Sequence, residues 1–355
     1  MPPLEEYMEE IKSIWDSRWL TNEGVKHQQL AAELEKRLQV PQVSLFSNGH
    51  QALEAVFSLF PAGSEVITTP FTFASTTLAI VRCGLTPVFC DIEPEFYTMD
   101  PDEIEALITE KTVAIAPVHV YGNLCDWRSI QKIADRHHLM VIYDAAHAFG
   151  VEEGGRSAGS LGDVSMFSFH ATKVFHTIEG GCLAYQDDSI SDRLSAWRRF
   201  GMFDGEQSEI LGTNAKLTEF AAAMGLCNLR HLEEQIILRK EAALRYRRNL
   251  AGRKGLILCP EQPGVTSNYA YMPLRVIPEQ FGMTRDQLVD KLKAQEIYAR
   301  KYFYPLTSAF PICQQNFTIQ TTPLADEVSN QILCLPLYAD LTPEDVERIC
   351  NVILN

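Results

Sequence analysis

The chain reads as an α/β protein: a large unit over roughly residues 1–250, built on a mainly parallel sheet between helices, and a smaller α+β unit over 251–355. Three observations lead there. From Val43 onward, short apolar runs (VSLF, EVITT, PVFCDI, TVAIAPVHV, LMVIYDAA, VSMFSFH) alternate with longer amphipathic segments, as parallel strands buried on both faces require. After the basic helical segment KEAALRYRRNLAGRKG, which ends near Gly252 or Gly255, the style changes to LILCP and NYAYMPLRVI. At 355 residues, with 46% hydrophobic and 22% charged residues, the chain is long enough to bury a large core and divide in two.

The chain opens with EEYMEEIKSIWDSRWL and VKHQQLAAELEKRLQV, whose apolar residues recur at three- and four-residue spacing and predict two helices. The six strand runs follow. Beyond residue 250 two further helical patterns begin near Thr284 and Thr342. The Gly-rich stretch GVEEGGRSAGSLGD contains no G-x-G-x-x-G and opens no helix, so it gives no basis for a dinucleotide site.

A net charge of -15 opposes binding to a nucleic-acid backbone, although a few local donors in a cleft can still hold a nucleotide-linked small molecule. The nine cysteines form no C-x-x-C pair and most lie in apolar runs, as reduced, buried thiols do. No metal site is expected. The acidic N-terminus lacks the basic and apolar regions of a signal peptide, and no run reaches membrane-spanning length, so a cytoplasmic protein without a membrane partner is expected. The triplet Asn316-Phe317-Thr318 matches a glycosylation sequon, a pattern common by chance.

In open α/β sheets ligands bind beyond the carboxyl ends of the strands, so polar residues that follow apolar runs are the candidates for chemistry. Ser47-Asn48-Gly49-His50 ends the first run and starts a helix whose free N–H groups suit a phosphate. Phe73 follows Pro70 at the start of the next helical pattern, placed to stack on a flat ring. Asp144 ends LMVIYD, with His147 three residues on. Ser168 and His170 share one face of VSMFSFH, and Lys173 comes after a two-residue step, where burial favours the neutral amine that attacks a carbonyl. Taken singly, each has an ordinary structural reading: an N-cap, a core phenylalanine, a capping acid, a surface lysine. Together they supply a phosphate cradle, a stacking ring, an acid and an amine, the set that pyridoxal 5'-phosphate requires.

With these residues in place the chain resembles the DegT/DnrJ/EryC1/StrS sugar aminotransferases, which are fold type I pyridoxal-phosphate enzymes. The resemblance runs from about Trp19 to the C-terminal region through DAAHAFG, FSFHATK…EGG, GTNAKLTEFAAAMGL and RKYFYPL. It implies a seven-stranded sheet in the large unit, Lys173 as the Schiff-base lysine and proton shuttle, and Asp144 as partner of the pyridinium nitrogen. His147 and Phe73 would lie against the ring, and Ser168 with the Asn48-Gly49-His50 turn would hold the phosphate. His50 stands where the family has a small residue or threonine. Asn214 matches a residue that reaches the phosphate of the neighbouring subunit, which implies a homodimer with shared active sites. Arg300, Tyr302 and Tyr304 of RKYFYPL, and His176 beyond the lysine, become candidates for contacting a nucleotide-sugar.

The flanks His170-Ala171-Thr172 and Glu179-Gly180-Gly181 resemble the C-4 aminotransferases. These move the amino group of L-glutamate, by way of pyridoxamine phosphate, to dTDP-4-keto-6-deoxyglucose, releasing 2-oxoglutarate and dTDP-4-amino-4,6-dideoxyglucose (viosamine), a precursor of O-antigen and other glycans. A C-3 or UDP-linked ketosugar stays open as the substrate. A sugar dehydratase of the same family carries histidine in place of the lysine, which Lys173 argues against. A pyridoxal-binding sensor or scaffold would leave RKYFYPL without a purpose.

Overall fold

The computed structural model describes residues 1–355. Its centre is a seven-stranded sheet in the order β1-β9-β8-β5-β4-β2-β3. The strands are β1 (Gln42–Phe46), β2 (Glu65–Thr68), β3 (Thr86–Phe89), β4 (Thr112–Ala116), β5 (Met140–Asp144), β8 (Val164–Ser168) and β9 (Gly181–Tyr185); the short β6 (Glu152–Glu153) and β7 (Arg156–Ser157) form a separate hairpin. The six expected runs are all strands of the central sheet and run in one direction, while β9 is antiparallel to both β1 and β8. Its sequence, GCLAY, is a short apolar run that opens on the second of two glycines, Gly180 and Gly181.

The predicted N-terminal helices form as α1 (Leu4–Ser17) and α2 (Val25–Leu38). Both pack against a long helix, Glu219–Leu250. Its first half belongs to the layers around the central sheet, where Leu30, Leu34, Ala222 and Leu226 share one apolar cluster with Phe167 and Val141. Its second half, through Ala242, Ala243, Tyr246 and Leu250, joins a different cluster formed with the C-terminal residues. There β10 (Leu256–Leu258), β12 (Met272–Val276) and β13 (Ile332–Leu335) make a small antiparallel sheet; β11 (Val265–Thr266) instead pairs with β6. The two C-terminal helical patterns are present, and Thr284 and Thr342 each close a capping box at the helix start.

Because β1, β2, β4, β5 and β8 point the same way, their carboxyl ends lie along one edge of the sheet, and β9 begins at that edge. The turn after β1 rests directly on the first residue of β9. A Cβ on Gly181 would lie 2.7 Å from the Asn48 carbonyl carbon and 2.6 Å from the Gly49 nitrogen, and one on Gly49 would lie 2.9 Å from Met166 Sδ. Gly181 is therefore required by close approach of backbone to backbone, which no rotamer change relieves, while Gly49 makes room for the Met166 and Ser168 side chains. The substitution Gly181→Ala is expected to destabilise the protein by about 1–3 kcal/mol in urea unfolding; an unchanged midpoint would contradict this packing.

Candidate active site

The edge of strand ends opens into a cavity of about 390 Å³ lined by residues of the β1, β2, β5 and β8 ends and of the C-terminal segment. Asn48, Gly49 and His50 form its first wall. Asn48 caps the helix α3 (Gly49–Phe57) by accepting from Gln51 N at 2.9 Å, which leaves the first N–H groups of the helix without an acceptor. The His50 imidazole bridges away from them, Nδ1 lying 2.9 Å from Ser75 Oγ and Nε2 lying 3.4 Å from Glu54 Oε1.

Phe73 is the N-cap residue of α4 (Ala74–Arg82), in extended conformation and 57% exposed. An aromatic ring left that open at a cavity wall is not packed as core, so the ordinary reading of a lone phenylalanine fails here.

Asp144 ends β5 and is buried. Its backbone is held on both sides: Asp144 N donates to Pro117 O at 2.9 Å, His119 N donates to Asp144 O at 2.9 Å, and Ala145 N donates to Met166 O at 2.8 Å. The carboxylate accepts from Thr76 Oγ1 at 2.6 Å and from Ala146 N at 3.0 Å, and Thr76 Oγ1 lies 3.0 Å from Thr72 Oγ1. Burial pushes the Asp144 carboxyl above its ordinary range, against the pull of the Thr76 hydroxyl, the Ala146 N–H and the nearby Lys173 amine. A cation facing it gains what water no longer provides.

His147 accepts at Nδ1 from Tyr121 N at 3.0 Å, so the proton of the neutral ring sits on Nε2. Burial, then the Lys173 charge, hold the ring well below the usual histidine range, and it lies parallel to Phe303 with centroids 5.8 Å apart. His147 is thus a neutral, fixed wall of the cavity.

Lys173 sits in the loop that leaves β8. The loop is closed on itself, with Phe169 N donating to Gly180 O at 2.8 Å and Thr177 N to Phe169 O at 2.9 Å, and Phe175 anchors it by stacking on Phe149 at 4.5 Å. Burial lowers the Lys173 amine to about 8, the Asp144 charge acting in the opposite sense. At neutral pH about one amine in ten then carries a free lone pair, against fewer than about one in a thousand for an ordinary lysine. Ser168, at the end of β8, lines the same cavity.

Arg300 and Tyr302 reach the cavity from the C-terminal segment. Arg300 is bound by its backbone to Cys334 of β13 in both directions, at 3.0 and 2.7 Å. Tyr304 and His176 are not brought there. The Tyr304 ring turns outward under the Arg285 guanidinium, 4.7 Å away, and His176 Nδ1 lies 3.2 Å from Asn228 Nδ2 of the long helix. Asn214 is exposed and accepts from Lys216 Nζ at 2.7 Å, outside the cavity of its own chain. Residues that the sequence reading passed over are Thr72, Thr76, Tyr271 and Phe303. The repeated hydroxyls of TPFTFASTT were a visible signal for the first two; Tyr271 has none, because it arrives from the small sheet.

The donor set fits pyridoxal phosphate. A buried carboxylate, a desolvated amine, an open aromatic ring and a helix start whose first N–H groups are free face one cavity, matching in kind the ring nitrogen, aldehyde, ring face and phosphate of that molecule.

The comparisons agree. The model of the DegT/DnrJ/EryC1/StrS aminotransferase family matches residues 4–354. The dTDP-4-amino-4,6-dideoxy-D-glucose transaminase of Shigella dysenteriae is 39% identical over 353 residues, covering 99% of this chain and 96% of that protein. The Escherichia coli protein of the same name is 40% identical over 357 residues, covering 100% and 96%. Among solved structures, DesI in the presence of its TDP-sugar product superposes with a TM-score of 0.95 at 31% identity, over 100% of this chain and 90% of that one. Helicobacter pylori PseC, an aminotransferase involved in the biosynthesis of pseudoaminic acid, superposes with a TM-score of 0.92 at 27% identity, over 98% and 95%. The chain belongs to the DegT/DnrJ/EryC1/StrS aminotransferase family, the family its sequence resembles.

Proposed function

We propose that the protein transfers the amino group of L-glutamate to C-4 of dTDP-4-keto-6-deoxy-D-glucose, giving dTDP-4-amino-4,6-dideoxy-D-glucose. The enzyme is a pyridoxal-phosphate-dependent aminotransferase. The observation that carries the reading is the convergence of Lys173, Asp144 and Phe73 with the α3 start on one cavity whose C-terminal side presents Arg300 and Tyr302. The choice of sugar rests on the two transaminases at 39% and 40% identity and on the His170 and Glu179-Gly180-Gly181 flanks of the lysine.

When bound, pyridoxal phosphate supplies an electron sink for the bonding pair left when a proton is removed beside nitrogen. Asp144 would hold its ring nitrogen in the protonated form, and Phe73 and His147 would confine the ring. Gly49 and His50 would bind the phosphate through backbone N–H groups, with the Ser168 hydroxyl beside them. Lys173 Nζ, desolvated and able to lose its proton near neutral pH, takes a proton and returns it to the neighbouring position, first for glutamate and then for the ketosugar. The Arg300 guanidinium makes no ion pair within the chain, so it is free to meet the diphosphate of a nucleotide-sugar.

A patch of exposed apolar residues around the start of the long helix supports a homodimer. Trp15 packs edge-on against Phe220, Trp19 lies beside Gly24 and Glu219, and Phe200 lies under Lys216, yet the three aromatic residues remain 68%, 55% and 49% exposed. A second copy would cover them. Asn214 is in the same region, two residues from Lys216, and we assign it to the partner's cofactor phosphate. The setting is cytoplasmic, and the product class suits O-antigen assembly.

Incubation with L-glutamate and a panel of dTDP- and UDP-ketosugars is expected to yield a 4-amino product from the dTDP-4-keto-6-deoxy sugar, identified by mass and NMR. An amine at C-3, or none, would overturn the assignment. Shared sites are tested by mixing: Lys173→Ala and Asn214→Asp homodimers are each expected to lose more than about 90% of activity. Co-expression should restore a substantial part, because one site of each mixed dimer carries neither change. Absence of any recovery would contradict the trans contact.

A further inference from the structure

We infer that Tyr271 is the positioning residue for the reactive amine: its phenolic oxygen accepts a hydrogen bond from Lys173 Nζ, and its ring closes the inner wall of the cavity behind that nitrogen. The inference rests on the reading of Lys173 as the reactive lysine. The distance from Nζ to the Tyr271 oxygen is 3.4 Å, and Nζ lies 5.8 Å from the ring centroid, so the amine meets the oxygen-bearing edge of the ring and not its face. The ring is fixed by its neighbours. It stands edge-on to His147 at 4.7 Å and to Tyr302 at 5.9 Å, with Tyr121 tilted against it at 6.0 Å.

The backbone that carries Tyr271 is equally constrained. Tyr271 immediately precedes β12, and the residues before it are docked on the segment that follows Asp144. Asn268 Nδ2 donates to His147 O at 2.8 Å and to Phe149 O at 2.9 Å, while Asn268 Oδ1 accepts from Ala270 N at 3.0 Å. The C-terminal sheet thereby delivers one hydroxyl to the catalytic lysine at a position referenced to Asp144 and His147. With one N–H directed at Tyr271, the amine turns its remaining valences toward the open cavity, where substrate carbon must lie.

The titratable groups that share the cavity with this amine are His50 at the start of α3, Asp144 at the end of β5 and His147 beyond it, His170 and Glu179 flanking the lysine, and Arg300 and Tyr302 from the C-terminal segment. None is altered in the variants that test the inference. Full-length protein loaded with pyridoxamine phosphate leaves the lysine amine free. Its trace acetylation, followed by peptide mass mapping as a function of pH, gives the titration midpoint of Lys173.

Two variants separate the hydrogen bond from the wall. Tyr271→Phe keeps the ring and removes an acceptor that favours the ammonium, so the midpoint falls by about half a pH unit or more. Tyr271→Leu removes the same acceptor and also opens the wall to water, which favours the ammonium, so its midpoint lies above that of Tyr271→Phe. An unchanged or raised midpoint in Tyr271→Phe overturns the hydrogen-bond role, and a midpoint in Tyr271→Leu no higher than that of Tyr271→Phe overturns the wall. If the wild-type protein carries its cofactor on another residue, the reading of Lys173 falls, while the same titration still reports whether the phenol touches the amine.

Discussion

A carboxylate buried at the end of a central strand is costly until something positive faces it, and the site is organised around that cost. Asp144 has two hydrogen bonds, from Thr76 and from the Ala146 N–H, which is less than water would give it. Its nearby cation, Lys173, is itself desolvated and lowered to about 8. Each group is only partly relieved by the other. A cofactor with a ring nitrogen and an aldehyde would relieve both, which is the reason for assigning its binding to this cavity.

The fold meets this requirement with two different kinds of support. Asp144 is fixed from within the sheet, by hydrogen bonds to the end of β4 and to β8. Lys173 is on a loop, but that loop is closed by its own backbone and anchored by Phe175. The small C-terminal sheet then adds Tyr271, Arg300 and Tyr302 from the opposite side. The cavity is consequently made of residues far apart in the chain, and the long helix, whose two halves belong to two different apolar clusters, ties both sides together.

Strand ends were legible in the sequence because a polar residue after an apolar run has one obvious place to be. That logic reached Asn48, Asp144 and Lys173, Phe73 stood out at the start of the next helical pattern, and the alternation of apolar runs with helices disclosed the sheet itself. It did not reach β9, whose antiparallel course breaks the repeating pattern, nor the close packing that explains Gly181. It was silent on Tyr271, which approaches across the boundary between the two sheets and carries no local signature. Tyr304 and His176, named through resemblance, lie outside the cavity, since neighbouring residues on a loop point different ways. For Asn214 a single chain offers no cavity contact at all.

The central claim is that Lys173, opposite Asp144, is the amine that holds pyridoxal phosphate. Borohydride reduction of the loaded protein followed by peptide mass mapping tests it directly. The account predicts a phosphopyridoxyl adduct on Lys173 in the peptide that follows β8. An adduct on any other lysine, or no adduct on a protein that retains the cofactor, would contradict it.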